Sequence, residues 1–151
     1  MLDPIKKTID VPCSAEDAFE TFVNRVTHWW PRDKNSVSAM NGEVAKSVVI
    51  EPRLNGEVYE IGHDDTKHLW GSVTTYDPGK RLVLDWHIGL PADNASVVEV
   101  LFDQQSESTT TVTLIHSRWE VFGDKAADMR NGYNQGWVGV FEEAYRRACQ
   151  A

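Results

Sequence analysis

His116 is the residue best placed to carry chemistry in this sequence of 151 residues. It lies in the segment Thr110 to Ser117, whose alternation of apolar and polar residues is typical of a strand. His116 shares one face of that strand with Val112 and Leu114, so we expect the face to look inward. There the imidazole could orient a ligand or transfer a proton. Alternatively, it is a core histidine bonded to a neighbouring backbone group or hydroxyl.

The tryptophans form a second set of candidates, because the six of them could give aromatic walls to a site for a flat hydrophobic ligand. Trp86 shares a strand face with Leu82 and Leu84, and Trp70 shares one with His68. The alternative is that the indoles fill a core, each N–H finding a carbonyl. The residues predicted to line a cavity are Trp30, Trp70, Trp86, Phe102, Leu114, His116, Tyr133, Asn134 and Trp137.

Polar residues near the start of the last helix could complete such a site. Asn134 and Arg130 lie beside Tyr133 on the inner side of that helix. They could meet a carboxylate or carbonyl of a ligand there, or form a solvated rim.

Two histidine clusters are interpreted as solvated. His63-Asp64-Asp65 with His68 is the densest group of metal-ligand types, but its composition places it at a hairpin tip with no second segment to supply ligands. No metal site is therefore predicted. Asp85 and His87 share the face opposite Trp86 and are expected to form an outward surface pair.

Several function classes are disfavoured by motifs and charge. The sequence lacks the glycine-rich phosphate loops, the H-E-x-x-H zinc helix and the G-x-S-x-G serine elbow, so no cofactor and no nucleophilic serine are predicted. A net charge of -8 with 15 scattered basic residues argues against nucleic acid and anionic membranes as partners. No apolar run approaches the roughly 18 residues of a membrane-spanning helix.

The two cysteines and the N-terminus point to the cytoplasm. Cys13 and Cys149 lie near opposite ends of the chain and are interpreted as packing thiols rather than as a disulfide or a metal site. The N-terminal residues show no secretion signal. We therefore expect a cytoplasmic protein.

The N-terminal segment predicts a strand followed by a helix. Ile5 to Val11 alternates and ends at Pro12. Ser14 and Asp17 form the S-x-x-D start of a helix over Ala15 to Val23. Arg25 to Trp30 adds a turn or two before Pro31, and Arg32 to Asn41 is predicted to be a surface loop.

Period-two segments separated by turn residues then predict an antiparallel meander. The predicted strands are Val44 to Ile50, Gly56 to Ile61, Lys67 to Tyr76, Arg81 to His87, Ser96 to Asp103 and Thr110 to Ser117. Glu120 to Lys125 is predicted to be a loop.

A long helix, from about Asp128 to Cys149, closes the chain. One of its sides carries Tyr133, Trp137, Val140, Phe141, Ala144 and Ala148. Since the aromatic residues lie in its first half, the helix should leave room near its start when it packs along a curved sheet. The order of elements predicts an α+β fold in which a bent sheet of about seven strands wraps that helix.

Several motifs in this order resemble the helix-grip fold of the START/Bet v 1-like (SRPBCC) superfamily, and within it the branch named after the activator of the heat-shock-protein-90 ATPase. The segment from Gly71 to Trp86 is similar to its G-x-V-x-x-x-x-P-x-x-x-L-x-x-x-W pattern. The other matching pieces are Pro12 with Ser14 to Phe19, Trp29-Trp30, Thr113 to Ser117, and Gly136-Trp137. Asn55-Gly56 departs from a common Gly-Gly, although Asn tolerates the left-handed backbone that such a turn needs.

The resemblance covers nearly the whole chain and implies one helix-grip domain over residues 1–151 with a cavity. The leading hypothesis is binding of a small hydrophobic molecule, aromatic or lipid-like, between the sheet and the last helix. The second is a cyclase- or aromatase-like enzyme with His116 as general acid or base. The third is a chaperone-interaction module, disfavoured because known activators carry an additional N-terminal domain for which this chain has no room. Whether the protein forms a homodimer is left open.

Overall fold

The computed structural model describes residues 2–150. Seven antiparallel strands form one sheet in the order β1-β7-β6-β5-β4-β3-β2, so the first and last strands lie side by side. The strands are β1 (Ile5–Val11), β2 (Ser47–Ile50), β3 (Glu57–Ile61), β4 (Lys67–Asp77), β5 (Arg81–Trp86), β6 (Ser96–Ser106) and β7 (Thr109–Ser117).

Three short helices connect β1 to β2, and a long one closes the chain. The short ones are α1 (Ala15–Asn24), α2 (Val26–Trp29) and α3 (Val37–Met40). A 3₁₀ turn over Ala92–Asn94 precedes β6, and two more, separated by a kink at Gly123, follow β7 within Trp119–Lys125. The C-terminal helix, residues 126–148, consists of α4 (Ala126–Trp137), a π-helical stretch (Val138–Tyr145) and α5 (Arg146–Ala148). The predicted α+β helix-grip fold is confirmed.

Local chemistry explains how the first helix begins and what it covers. The Ser14 hydroxyl accepts a hydrogen bond from the Asp17 amide at 3.1 Å, which satisfies one free N–H of α1. Phe19, Phe22 and Val23 lie buried on the inner face of α1. The helix therefore covers one end of the space between the sheet and the C-terminal helix.

The sheet bends at register shifts in the β3–β4, β4–β5 and β6–β7 pairs. Such bulges increase the local twist and curl a sheet around what it covers. Gly71 pairs with Trp86 at the β4–β5 crossing, where a β-carbon would collide with the Asp85 carbonyl oxygen. Asn55 adopts the left-handed backbone, with φ 65, that its turn requires.

The structure corrects several element predictions. Val44 is exposed and β2 begins only at Ser47, because residues 41–46 still belong to the connection after α3. The predicted surface loop Arg32 to Asn41 contains α3, and both Ser36 and Ser38 in it are buried. The predicted loop after β7 consists of two 3₁₀ turns separated by Gly123, and the last helix begins at Ala126.

The inner face of the C-terminal helix also differs from the prediction. Phe141, Tyr145 and Cys149 are buried at intervals of four residues, whereas Ala144 and Ala148 are only half-buried. An α-helix has 3.6 residues per turn, so a stripe of period four drifts around it. The i→i+5 bonding of the π stretch gives a wider turn and keeps these side chains on one face.

No helix within residues 2–150 is long and apolar enough to cross a membrane.

Candidate ligand-binding pocket

An open pocket of about 490 Å³ lies at the start of the C-terminal helix. It has three walls: the first half of that helix, the segment of residues 34–40 around α3, and the loop of residues 88–90 after β5. Its volume falls within the range of about 300–1,000 Å³ typical of small-molecule sites. Its lining consists of Trp30, Lys34, Asn35, Ser36, Met40, Trp86, Ile88, Gly89, Leu90, Asp128, Met129, Gly132, Tyr133, Gly136, Trp137 and Val140.

Three indoles form the floor of the pocket. The ring centroids of Trp30 and Trp86 are 5.8 Å apart, those of Trp86 and Trp137 are 5.8 Å apart, and those of Trp30 and Trp137 are 6.1 Å apart. Trp70 lies behind them, 5.2 Å from Trp30 and fully buried. The indole planes are tilted to one another by 46° to 88°, so the floor is an uneven aromatic surface against which one face of an apolar molecule could pack.

Glu60 on β3 holds the wall of residues 34–40 in place. Its carboxylate is fully buried and accepts hydrogen bonds from the Val37 amide, from the Ser38 amide at 3.1 Å and from the Ser38 hydroxyl at 3.0 Å. It also accepts one at 3.0 Å from the indole N–H of Trp70. Because Trp70 packs behind the floor, one carboxylate connects the floor with the wall.

The helix wall is kept open by glycines. Gly132 and Gly136 lie four residues apart on α4 and both line the pocket. A β-carbon at Gly132 would have no heavy atom within 4 Å, and one at Gly136 would meet only the Asn35 amide nitrogen at 3.8 Å. The pocket exists on this side because these two positions carry no side chain.

The mouth carries a methionine and two opposite charges. Met40 is 66% exposed and lies over Gly89. A β-carbon added to Gly89 would be 3.3 Å from the Cε of Met40. Lys34 and Asp128 are exposed lining residues. A ligand would therefore meet charge only at the rim.

His116 is fully buried on the inner face of β7 and does not line the pocket. Its Nδ1 accepts a hydrogen bond at 3.0 Å from the indole N–H of Trp137, which can only donate. The proton of the neutral ring is therefore on Nε2, which donates to the Ser96 hydroxyl at 2.7 Å. That hydroxyl in turn donates to the Trp86 carbonyl at 3.1 Å.

Burial lowers the pKa of His116 to about 3. The imidazole is consequently neutral at physiological pH, and the chain of hydrogen bonds fixes the orientation of Trp137. The ring centroid of His116 lies 4.6 Å from that of Tyr133 and 4.3 Å from that of Trp119, so aromatic side chains surround the imidazole.

Tyr133 presents the phenol of the pocket. Burial raises its pKa to about 12, so the hydroxyl stays protonated. The nearby indole N–H of Trp86 is buried and, within residues 2–150, has no hydrogen-bond partner of ordinary geometry. No group of three or more metal-ligating side chains that could hold an ion is found in that part of the chain.

The family model described as Activator of Hsp90 ATPase homolog 1-like protein matches residues 12–143. The chain belongs to this family. No curated protein sequence matches it.

Solved structures similar to this family member share its fold over nearly the full chain. One is an anthrahydroquino-gamma-pyrone synthase in complex with a ligand designated SUM, with 25% identity, a TM-score of 0.68 and coverage of 97% of each chain. Another is the self-sacrificing resistance protein CalC from Micromonospora echinospora, with 23% identity, a TM-score of 0.70 and coverage of 97% of this chain and 94% of that one. The protein BH1534 from Bacillus halodurans has 15% identity, a TM-score of 0.68 and coverage of 99% and 98%.

The structure brings four of the nine predicted cavity residues of this family member to the pocket, namely Trp30, Trp86, Tyr133 and Trp137. The other five lie elsewhere. Trp70, Leu114 and His116 are fully buried behind the lining, Phe102 packs against Phe19 at the far end of the sheet, and Asn134 is exposed on α4.

Two polar predictions are corrected by contacts that the sequence does not show. Arg130 does not reach the pocket, because its guanidinium donates to the Asp3 carbonyl at 2.6 Å and to the Pro4 carbonyl. His87 is not part of an outward pair: it is 5% exposed, and its Nδ1 lies 3.1 Å from the Leu90 carbonyl oxygen. The ring is covered because the loop after β5 folds back over it.

The lining residues that sequence reasoning missed lie mostly outside the strands. Met40, Ile88, Leu90 and Met129 come from the α3 segment, the loop after β5 and the first turns of α4. One signal could have located the helix wall. Gly132 and Gly136 are spaced four apart, so on a helix they share one face with the predicted inner residues.

Proposed function

We propose that this protein binds a flat aromatic small molecule in the pocket at the start of the C-terminal helix. The observation that carries the proposal is the open volume above three indoles, with the charges confined to the rim. Burial of apolar ligand surface supplies the affinity, at about 25 cal/mol per Å² before ordering costs. A synthase 25% identical over 97% of the chain, whose name contains a polycyclic aromatic nucleus, supports this class of ligand.

A pair of glycine substitutions tests the proposal on one helix. Gly132→Leu places a side chain inside the pocket without a clash, since a β-carbon there has open space around it. Gly139→Leu makes the same change where the space is equally open but outside the pocket. A glycine inside a helix is about 1 kcal/mol less favourable than alanine. Because both variants replace such a glycine, neither should destabilise the fold.

The measurement is a titration with 9-fluorenone, a rigid tricyclic ketone, followed by quenching of tryptophan fluorescence. We expect saturable quenching of the wild type and the Gly139→Leu variant, and at least about a tenfold loss of affinity in Gly132→Leu. Equal affinity of the two variants would place binding elsewhere and refute the proposal. Native mass spectrometry of freshly purified protein would identify a ligand carried over from the cell.

A second candidate is an enzyme that uses the same pocket, supported by the name of the same synthase. Confinement with one general acid or base suffices for cyclisation of a reactive chain. His116 as that acid or base would have to act past Tyr133 and Trp137, which line the pocket and separate it from the imidazole. In a reaction with a defined substrate, His116→Gln would separate the functions: turnover lost with binding retained indicates catalysis.

Three further expectations from the sequence stay predictions. A pull-down with the heat-shock-protein-90 chaperone and an ATPase assay test the chaperone partner. Sedimentation equilibrium tests the homodimer. Cell fractionation tests the cytoplasmic location.

A further inference from the structure

The aromatic lining of the pocket contains one phenol, and its surroundings define a polar point in an otherwise apolar surface. Tyr133 lies on α4 between the pocket and the buried rings of His116 and Trp119. Within residues 2–150 its hydroxyl makes no hydrogen bond of ordinary geometry, although it is the polar group next to the Trp86 indole.

The Trp86 indole makes this arrangement directional. Trp86 is 3% exposed and lines the floor, and its N–H is buried without a partner. An indole N–H can only donate, whereas a phenol oxygen can accept one hydrogen bond while its proton is donated to another group. An unpaired buried donor is uncommon in folded proteins and calls for an acceptor close by. The Tyr133 oxygen is close enough to Trp86 to supply that acceptor, and its own proton would then be directed away from Trp86.

The other polar groups of the lining are placed differently. The Asn35 side-chain amide nitrogen is a donor at the helix wall, 3.8 Å from where a β-carbon of Gly136 would lie. The Ser36 hydroxyl already donates to the Arg32 carbonyl at 2.8 Å and accepts from the Ala39 amide at 2.9 Å. Lys34 and Asp128 are exposed at the rim. The Tyr133 hydroxyl is thus the donor next to the indole floor, whereas the Asn35 amide lies at the helix wall.

We propose that the pocket recognises an aromatic ligand through an oxygen acceptor, a ring carbonyl or phenolic oxygen, which receives the Tyr133 proton while Tyr133 accepts from the Trp86 indole N–H. The relay runs from Trp86 to Tyr133 to the ligand. Each member donates once, so the buried indole gains a partner and the ligand oxygen is oriented on the floor. Because the phenol keeps its proton through the physiological range, recognition should not change between pH 6 and 9. This inference rests on the proposed function, whose pocket it deepens.

A matched pair of probes tests the inference. 9-Fluorenone and fluorene share one tricyclic frame and differ at a single position, which carries the ketone oxygen only in fluorenone. The ketone is the more polar of the two, so a pocket without a donor should favour fluorene. Equilibrium dialysis against wild-type protein gives both dissociation constants. With the Tyr133 donor in place we expect fluorenone to bind about five- to tenfold more tightly.

Two tyrosine variants assign the donor. Tyr133→Phe removes only the hydroxyl, and we expect the preference for fluorenone to disappear while fluorene binds as before. Tyr76→Phe is the control, because Tyr76 packs against Phe19 on the opposite side of the core and does not line the pocket. It should retain the wild-type preference. A downfield shift of the Trp86 indole proton with fluorenone, absent with fluorene, would report the other half of the relay.

The outcomes are distinguishable. If fluorene and fluorenone bind the wild type equally, the inference is wrong and the proposed function stands. If the preference survives in Tyr133→Phe, another group donates, which also refutes it. If neither probe binds, both the inference and the proposed function fail.

Discussion

The two ends of the space between the sheet and the C-terminal helix are both rich in aromatic residues, yet one is solid and the other hollow. At the closed end, ring centroids lie between 5.1 and 6.3 Å apart, most pairs edge to face and one pair stacked, and each ring is at most 5% exposed. This end consists of Phe19, Phe22, Phe102, Phe141 and Tyr145. The open end consists of Trp30, Trp86, Tyr133 and Trp137 around the pocket.

The difference lies in what the helix presents to the sheet. At the closed end the π stretch directs Phe141 and Tyr145 inward, and the Tyr145 hydroxyl donates to the Ala18 carbonyl at 2.7 Å. At the open end the same stripe continues with Trp137 and Tyr133, and the positions next to them, Gly136 and Gly132, carry no side chain. Aromatic content therefore does not decide whether such a fold encloses a pocket. The missing side chains beside the aromatic stripe leave the space open.

Truncation should cost far more at the closed end than at the open end. Phe141→Ala removes a fully buried ring, and we expect the free energy of unfolding to fall by about 3–5 kcal/mol. Met129→Ala removes a half-buried side chain that borders the pocket, and a loss below about 1 kcal/mol is expected. Urea unfolding gives both values. Similar losses would mean that the pocket wall is packed as densely as the core.

Removal of His116 should be the next largest effect, although this residue does not line the pocket. His116→Phe leaves the Trp137 indole N–H and the Ser96 hydroxyl without their partner, so we expect a loss of about 2–4 kcal/mol. Ser117→Ala, at the half-buried neighbouring position, is the control and should change stability little. A neutral effect of His116→Phe would contradict the structural role assigned to the imidazole.

The buried, neutral state of His116 should make the protein less stable in mild acid. Its pKa is about 3 in the folded protein against 6.5 as the reference for the unfolded chain, so the unfolded state binds more protons between these values. The contribution of the neutral imidazole to the free energy of unfolding is fully present above pH 6.5. It is lost as the pH falls from 6.5 toward 3, with a slope of up to about 1.4 kcal/mol per pH unit. The measurement is urea unfolding at pH 7 and pH 5. The wild type should lose more than His116→Phe does, and parallel losses would contradict the buried neutral ring.

Glu60→Gln should reduce stability less than Phe141→Ala or His116→Phe, but it should have a specific effect on the pocket. The carboxylate has two accepting oxygens, whereas the amide has one oxygen and an NH2 group. That NH2 group would face one of the donors of Val37, Ser38 and Trp70, which costs about 1–3 kcal/mol. Hydrogen exchange should accelerate at the Val37 and Ser38 amides, and the affinity for 9-fluorenone should fall. Glu57→Gln is the matched control on the same strand, because its ion pair with Lys67 is exposed. Unchanged exchange in Glu60→Gln would contradict its role in holding the wall.

Features set by local sequence could be predicted, and those set by distant partners could not. The Ser14 cap of α1, the inward face of His116 and the seven strands follow from spacing alone. The composition of residues 32–41 is typical of a polar loop. Its burial could not be predicted, because the partner that holds it, Glu60, lies more than twenty positions from Ser38 in the sequence. The inner position of Tyr145 depends on a π stretch that a period of 3.6 does not reveal.

The candidate site shows the same division. Trp30, Trp86, Tyr133 and Trp137 could be chosen from strand and helix faces, whereas Met40 and Leu90 reach the pocket only through the way two connections fold over it. His116 illustrates the limit on chemistry. Its type and face suggested a polar handle, but two hydrogen bonds engage both nitrogens inside the wall.

The most direct test of a ligand site at the open end is a nitrogen-15 spectrum of the six tryptophan indole groups recorded during titration with 9-fluorenone. We expect the largest shifts at Trp30, Trp86 and Trp137, which form the floor of the pocket. Trp29, whose indole N–H donates to the Thr21 carbonyl at the closed end, should move least. Shifts that are largest at Trp29, or no shifts at any indole, would contradict a ligand site at the open end.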